Sequence, residues 1–257
     1  GWSMETSGAE SVVCKNCGKR CTHQAPGADG KCTECGFTLE AQVGDAYYAY
    51  FSSAVKAAAE AGGTVKLLCN VTTSGPRNIA ALPSGTYTLD LAGHTLHGDA
   101  SALVVVTNSE DGTAAVTIQN GSVTGDNETA TIRVIGANLT LNAAVTNRRN
   151  DIFRFAAVRA ENKGDTGSRV TIEDGTYKGG IYCYSKDSTV QILRGSFEKG
   201  NSGNSFSLKA NYYDIDQRKE IDLPLAACIA PGSYVVKNED NTKVDLTNLS
   251  EIDYAVT

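Results

Sequence analysis

One short pattern recurs along this chain: two aliphatic residues flank a polar one, and a glycine turn follows. Val116-Thr117-Ile118 precedes Gln119-Asn120-Gly121, Val170-Thr171-Ile172 precedes Glu173-Asp174-Gly175, and Val190-Gln191-Ile192 precedes Leu193-Arg194-Gly195. Leu89-Asp90-Leu91-Ala92-Gly93 and Leu139-Thr140-Leu141 share the pattern. Alternation with period two marks a half-buried strand. A further apolar position follows most of the turns, at Val123, Tyr177 and Phe197. A second strand series runs through Ile132–Val134, Val158, Tyr182 and Leu208, its members 24–26 residues apart. That period is expected when each repeat makes one coil of a solenoid, whose inner face is buried only by its stacked neighbours. The chain is therefore read as mainly β: a right-handed parallel β-helix of roughly five or six coils. An antiparallel sandwich would instead place hairpin dipeptides between adjacent strands, and Asn120-Gly121 is one such dipeptide.

A single helix is expected, over 45–61. Asp45 is its candidate N-cap, Tyr47, Tyr48, Phe51, Val55 and Ala58 recur at helical spacing, and Gly62-Gly63 stops it. This helix would cover the open first coil, and the stretch from about Leu223 would close the other end. The β-helix domain then spans 41–257, preceded by a small module at 1–40.

That module holds five of the eight cysteines. Residues 14–36 read Cys-x2-Cys-Gly-x2-Cys-x-His-x8-Cys-x2-Cys-Gly. Each Cys-x-x-Cys-Gly turn can offer two thiolates to one tetrahedral ion, with glycine letting the backbone curl under the metal. The segment has few apolar residues beyond Val12, Val13, Phe37 and Leu39, so burial alone would not fold it. A structural Zn²⁺, with an apparent binding energy of about 10–16 kcal/mol, would suffice. Six ligands compete for four places: Cys14, Cys17, Cys21, His23, Cys32 and Cys35. The simplest set is Cys14, Cys17, Cys32 and Cys35. Cys21 and His23 with Cys32 and Cys35 form the alternative, a two-metal cluster with shared thiolates is a third, and disulfide pairing outside the cell is the metal-free use. A catalytic zinc would keep an open position and favour His or carboxylate ligands. Cys69, Cys183 and Cys228 are scattered and read as small buried hydrophobes.

Composition narrows the function. At 257 residues there is room for one elongated domain and an appendage. A net charge of −6 argues against a general nucleic-acid binder, which needs a basic surface. No apolar run approaches the roughly 20 residues that span a bilayer. Gly1-Trp2-Ser3 ahead of Met4 reads as a cloning remnant, so the lack of a leader is uninformative.

The run from Ala46 to Leu96 contains Tyr-Tyr, an Ala-rich helix, Gly-Gly-Thr-Val-Lys-Leu-Leu and Leu-Asp-Leu-Ala-Gly-His-Thr-Leu. It resembles the opening of pectate-lyase-like β-helix modules in large cell-surface proteins of gut Gram-positive bacteria. Ile172-Glu173-Asp174-Gly175-Thr176-Tyr177 and Ile192-Leu193-Arg194-Gly195-Ser196-Phe197 look like coils of those modules. Ile229-Ala230-Pro231-Gly232-Ser233-Tyr234-Val235-Val236 is similar to their closing segment, and a Cys/His cluster often precedes them. The resemblance covers nearly the whole chain. It implies a fold and an extracellular, cell-surface place within a longer anchored or secreted protein, and it leaves activity open because fold does not fix function.

Function on a solenoid is expected in the loops that break the repeat. Leu141 to Ile172 spans 31 residues where Ile172 to Ile192 spans 20, and the excess falls at 142–155 and 161–169. These loops hold Arg148, Arg149, Asp151, Phe153, Arg154 and Phe155, with Arg169 closing the second. From Arg133 to Arg169, six Arg and one Lys face three acids, a local excess of four positive charges. Arg beside aromatic residues suits planar anions and interfaces. The expectation is a non-catalytic adhesion module, monomeric, that docks a glycan or a host extracellular protein on this Arg-rich surface. A solvated loop whose Arg residues pair with nearby acids accounts for the same residues.

An acidic-glycan lyase or glycoside hydrolase is the alternative, and a structural stalk the third reading. A lyase could use Arg148 or Arg149 as base with Ca²⁺ held by acids, but only Asp151 is near in sequence. A hydrolase needs two facing carboxylates about 5–9.5 Å apart. Asp126, Glu128, Asp174 and Asp187 fall in turns without stacking across coils, and Asp90 is matched on adjacent coils by Thr117, Thr140, Thr171 and Gln191. His94 and His97 sit in a turn and read as caps. Tyr182 and Tyr184 alternate with Cys183, so one set faces outward.

Overall fold

The computed structural model describes residues 1–4, 10–74, 81–98, 104–107, 114–126, 129–148, 156–198, 208–230, 236–237 and 243–244. The repeat builds a parallel β-solenoid of about four turns, fewer than the five or six the spacing suggested.

Each coil contributes to three ranks of strands. The first rank holds the triads: Val116↔Leu139, Thr117↔Thr140 and Ile118↔Leu141 are in register, as are Leu139↔Val170, Leu141↔Ile172, Val170↔Val190 and Ile172↔Ile192. The apolar positions after the turns form the second rank, Val123↔Val145↔Tyr177↔Phe197. The strand Ala115–Gly125 runs through both ranks, with a register irregularity between Gln119 and Ser122 where it turns the corner. The third rank is Val104–Thr107, Ala130–Ile135, Ala156–Glu161, Gly180–Tyr184 and Leu208–Asp214, all parallel.

The inward residues of the three ranks meet in one core. Leu89, Ile118, Leu141, Ile172 and Ile192 stack from the first rank; Ile132, Val158, Ile181 and Leu208 from the third. Tyr177 and Phe197 stack with ring centroids 5.2 Å apart, an arrangement worth about 0.5–1.5 kcal/mol beyond burial.

Two registers differ from expectation. Tyr87-Thr88-Leu89, rather than Leu89-Asp90-Leu91, aligns with Val116-Thr117-Ile118. Tyr87 fills the inward place because its hydroxyl can donate to the Pro83 carbonyl at 2.9 Å. Asp90 therefore stacks on Gln119 and Lys66, and it accepts from the Ala92 N–H at 2.9 Å and Asn120 Nδ2 at 3.2 Å. In the third rank, Ile181 rather than Tyr182 aligns with Val158. Cys183 is buried, so Tyr182 and Tyr184 face outward.

The helix spans Phe51–Ala61, starting six residues later than the sequence suggested and ending where it did. Ala46–Tyr48 instead pairs antiparallel with Ala41–Val43, and Asp45 sits in the turn of that hairpin. With no side-chain cap from Tyr50, the helix start is served from a distance: the buried Glu40 carboxylate accepts from the Phe51 N–H at 2.9 Å. Phe51, Ala54, Val55 and Ala58 join the solenoid core beside Val65 and Leu67. At the other end, Leu225–Cys228 is a short helix and Ile229 pairs with Val190, adding to the first rank.

Candidate metal centre and charged face

The N-terminal module is a three-stranded antiparallel sheet, Trp2–Met4, Val12–Cys14 and Arg20–Cys21, with one Cys-x-x-Cys-Gly turn between its second and third strands and the other after it. Both Cys-x-x-Cys-Gly turns close alike. Gly18 N–H donates to the Cys14 carbonyl at 2.8 Å and Gly36 N–H to Cys32 at 2.9 Å. Cys14 N–H reaches the Lys19 carbonyl and Cys32 N–H the Phe37 carbonyl, each at 2.8 Å. Only the second turn contributes to the buried cluster.

Cys21, His23, Cys32 and Cys35 are all buried, and one ligand atom from each lies within 4.8 Å of the others. Cys21 Sγ is 3.6 Å from Cys32 Sγ, and Cys35 Sγ is 3.4 Å from His23 Nδ1. Main-chain N–H groups of His23 and Gln24 point at Cys21 Sγ and Cys32 Sγ, at 3.3 and 3.1 Å. His23 Nε2 lies 2.8 Å from the Glu10 carbonyl, which can only accept, so Nε2 carries the proton and Nδ1 is free to ligate. His23 holds φ at +64°, a left-handed conformation uncommon outside glycine that persists where its surroundings enforce it.

The donor chemistry fits a cation. Burial pushes the Cys21 thiol up to about 12 and raises that of Cys35. Burial opposes ionisation of Cys32 too, but N–H groups of Cys35, Gln24 and Glu34 bring it down to about 6. Three thiolates cannot share a buried space of this size without a positive ion to replace their protons. This group could hold a metal ion, and the simplest set drawn from sequence is not the one brought together. Cys14 and Cys17 lie outside the group, and Cys17 is exposed.

The Arg-rich region is only partly within the described residues: Arg149, Asp151, Phe153 and Arg154 lie outside them. Arg148 is exposed, its Nε 3.6 Å from Asp126, whose other oxygen is 3.6 Å from His97 Nε2. His97 Nδ1 is 2.8 Å from Thr124 Oγ1. Arg169 is exposed at the start of a first-rank strand, away from Arg148 in the coil.

Sequence reasoning counted Arg133 and Arg159 without placing them together. They are in register on adjacent coils of the third rank and share one acid. Arg133 donates to both oxygens of Glu161, at 2.6 and 2.8 Å, and this carboxylate lifts the Arg133 guanidinium pKa. Arg159 Nε is 3.2 Å from Glu161 Oε1 but is buried with no hydrogen-bond partner, so the alignment is poor. Its guanidinium lies 4.0 Å from the centre of the Tyr184 ring. The signal was in the spacing, since each Arg follows the inward aliphatic residue of its strand, Ile132 and Val158.

No family model, curated protein or solved structure matches the chain. Among the described residues no helix is long and apolar enough to cross a membrane.

Proposed function

We propose that the protein is a non-catalytic extracellular adhesion module of a bacterial surface protein, docking a glycan or host protein that presents carboxylates. In this reading the solenoid is a right-handed, pectate-lyase-like β-helix whose first coil is covered by the Phe51–Ala61 helix. A structural Zn²⁺ on Cys21, His23, Cys32 and Cys35 holds the N-terminal module together. Three thiolates and one imidazole make a closed tetrahedral set, suited to folding rather than catalysis.

The observation that carries the docking reading is the stacked pair Arg133 and Arg159 on the single carboxylate of Glu161. Two guanidinium groups on one acid leave a net positive charge. A planar carboxylate suits such a fork, and Tyr184 beside it adds an aromatic edge. In the sequence, Arg148, Arg149 and Arg154 add further positive charge to the same stretch of chain.

The test is calorimetric binding of polygalacturonate and hyaluronate to the full chain, before and after Arg159→Gln and the pair Arg148→Glu, Arg149→Glu. Binding that weakens in each variant and with added salt is expected. Undiminished binding in all variants rejects this surface. Appearance of unsaturated products during incubation with polygalacturonate rejects the non-catalytic reading.

A further inference from the structure

The last strand of the third rank, Leu208–Asp214, does not lead into another coil. The chain turns at Ile215–Arg218 and returns antiparallel as Lys219–Asp222, with Asn211 opposite Asp222 and Asp214 opposite Lys219. This hairpin breaks the usual burial rule. Tyr213 is 50% exposed and Ile215 81%, two of the three large apolar side chains that stand exposed among the described residues. A cleft of about 380 Å³ opens between the hairpin and the coil turn Tyr184–Asp187.

The cleft is walled by Tyr184, Tyr212 and Tyr213, with Lys186, Asp187 and Asp216 at its polar edge. Asp214 is taken up in building the turn, accepting from the Gln217 N–H at 2.8 Å and Gln217 Nε2 at 3.2 Å. Among the described residues neither the Asp187 nor the Asp216 carboxylate has a hydrogen-bond or ion-pair partner. Two rings already carry a cation: Arg159 lies over Tyr184 at 4.0 Å and Lys186 Nζ over Tyr212 at 5.9 Å.

Charge then selects the ligand. An anion would meet two unpaired carboxylates, and a cation would meet Lys186 on a ring face it would otherwise use. A neutral polyhydroxyl compound meets neither penalty. Its hydroxyls can donate to Asp187 and Asp216 and accept from Lys186 Nζ, while its C–H face lies on the Tyr213 ring. We propose that this cleft binds a neutral sugar unit of a glycan chain. The cleft shares Glu161 and Tyr184 with the Arg133–Arg159 surface but is opposite to it in charge preference, and it does not rest on the carboxylate-docking reading.

The experiment titrates the full chain with neutral probes (chito-oligosaccharide, xylo-oligosaccharide and manno-oligosaccharide), with polygalacturonate, and with a tri-lysine peptide, by calorimetry. At least one neutral probe is expected to bind. Tyr213→Ala should weaken it about tenfold, Tyr213→Phe should retain it because the ring is kept, and Asp216→Asn should weaken it further than Tyr213→Phe does. Added salt that weakens polygalacturonate binding should leave neutral binding within about twofold, which separates the two ligands. Tyr213 and Asp216 line the cleft, and an unchanged melting curve confirms folding of each variant. Failure of every neutral probe to bind, binding of tri-lysine in their place, or neutral binding untouched by Tyr213→Ala overturns the proposal.

Discussion

His23 Nε2 lies 2.8 Å from the main-chain carbonyl of Glu10. The carboxylate of the same Glu10 accepts from the N–H groups of Ala49 and Tyr50, just ahead of the Phe51–Ala61 helix. One residue thus orients a ligand of the Cys/His cluster with its backbone and anchors the solenoid entrance with its side chain. Val12, Cys21, Cys32, Cys35 and Leu39 form the module's own small core, against which Tyr47 and Leu68 pack from the solenoid side. The module is therefore in contact with the first coil rather than merely tethered to it.

Metal content should follow the cluster and ignore the exposed turn. Elemental analysis is expected to find one zinc per chain. Cys32→Ser or Cys35→Ser should lose it, with a large drop in melting temperature, since structural zinc contributes about 10 kcal/mol or more of apparent binding energy. The pair Cys14→Ser, Cys17→Ser should keep the full zinc complement, because these thiols lie outside the four-ligand group. Loss of zinc in that pair, with retention in Cys32→Ser, would point to a different ligand set.

Glu10→Ala should separate the two roles of Glu10. The carbonyl that meets His23 belongs to the main chain and survives the substitution, so zinc should be retained. The N–H groups of Ala49 and Tyr50 lose their acceptor, at a cost of about 1–2 kcal/mol in urea unfolding. A zinc-free Glu10→Ala protein would show instead that the side chain is needed for the metal.

How far the sequence carried this reading depends on how local each signal is. Val116-Thr117-Ile118, Leu139-Thr140-Leu141, Val170-Thr171-Ile172 and Val190-Gln191-Ile192 are in register as their period implied, because inward volume and outward polarity are written residue by residue. Tyr87 escaped notice because an inward tyrosine depends on a partner four residues back, which periodicity does not encode. Tyr47 and Tyr48 satisfy helical spacing and strand spacing equally, and pairing with Ala41–Val43 decided for strand. The choice of Cys21 and His23 over Cys14 and Cys17 turned on which thiols are buried together. Two turns with the same motif and the same backbone bonds cannot be ranked from their letters. Nothing in the letters of Tyr213 and Ile215 marks them as exposed; the hairpin that leaves the third rank makes them so.

Stability should fall at alkaline pH in a defined window. Burial raises the Tyr87, Tyr177 and Cys183 pKa values well above their ordinary ranges. Tyr177 donates to the Asp174 carbonyl at 2.9 Å and Cys183 Sγ to the Ser188 carbonyl at 3.2 Å, so both need their protons. The folded chain retains protons that the unfolded chain releases, so stability is fully present below the unfolded values. It declines as pH rises from about 8.5 for the thiol and about 10 for the tyrosines, towards the folded values. Each group then costs about 1.4 kcal/mol per pH unit. Tyr177→Phe should flatten the profile above pH 10 by one group's share, and an unaltered slope in that variant would assign the decline elsewhere.

Glycine after the triad has a stricter reason than turn formation, and a paired substitution should expose it. Gly175 has φ +126°, and a Cβ there would sit 2.1 Å from the Ala143 carbonyl oxygen on the neighbouring coil. Gly164 has φ +56° with nothing within 4 Å of its missing Cβ. Gly164→Ala therefore meets only the left-handed backbone cost, about 1–2 kcal/mol. Gly175→Ala meets a disfavoured φ and a backbone clash that no side-chain rotation relieves, so the coils must part and the loss should exceed about 3 kcal/mol. Because the contact is between coils, the damage should appear as an earlier, broader urea transition rather than a local change, with hydrogen exchange rising at Leu141 and Ile172 together. Equal losses in the two variants would mean that backbone conformation alone fixes glycine here, and that the stacked coils yield more easily than the clash of an added Cβ with the Ala143 carbonyl implies.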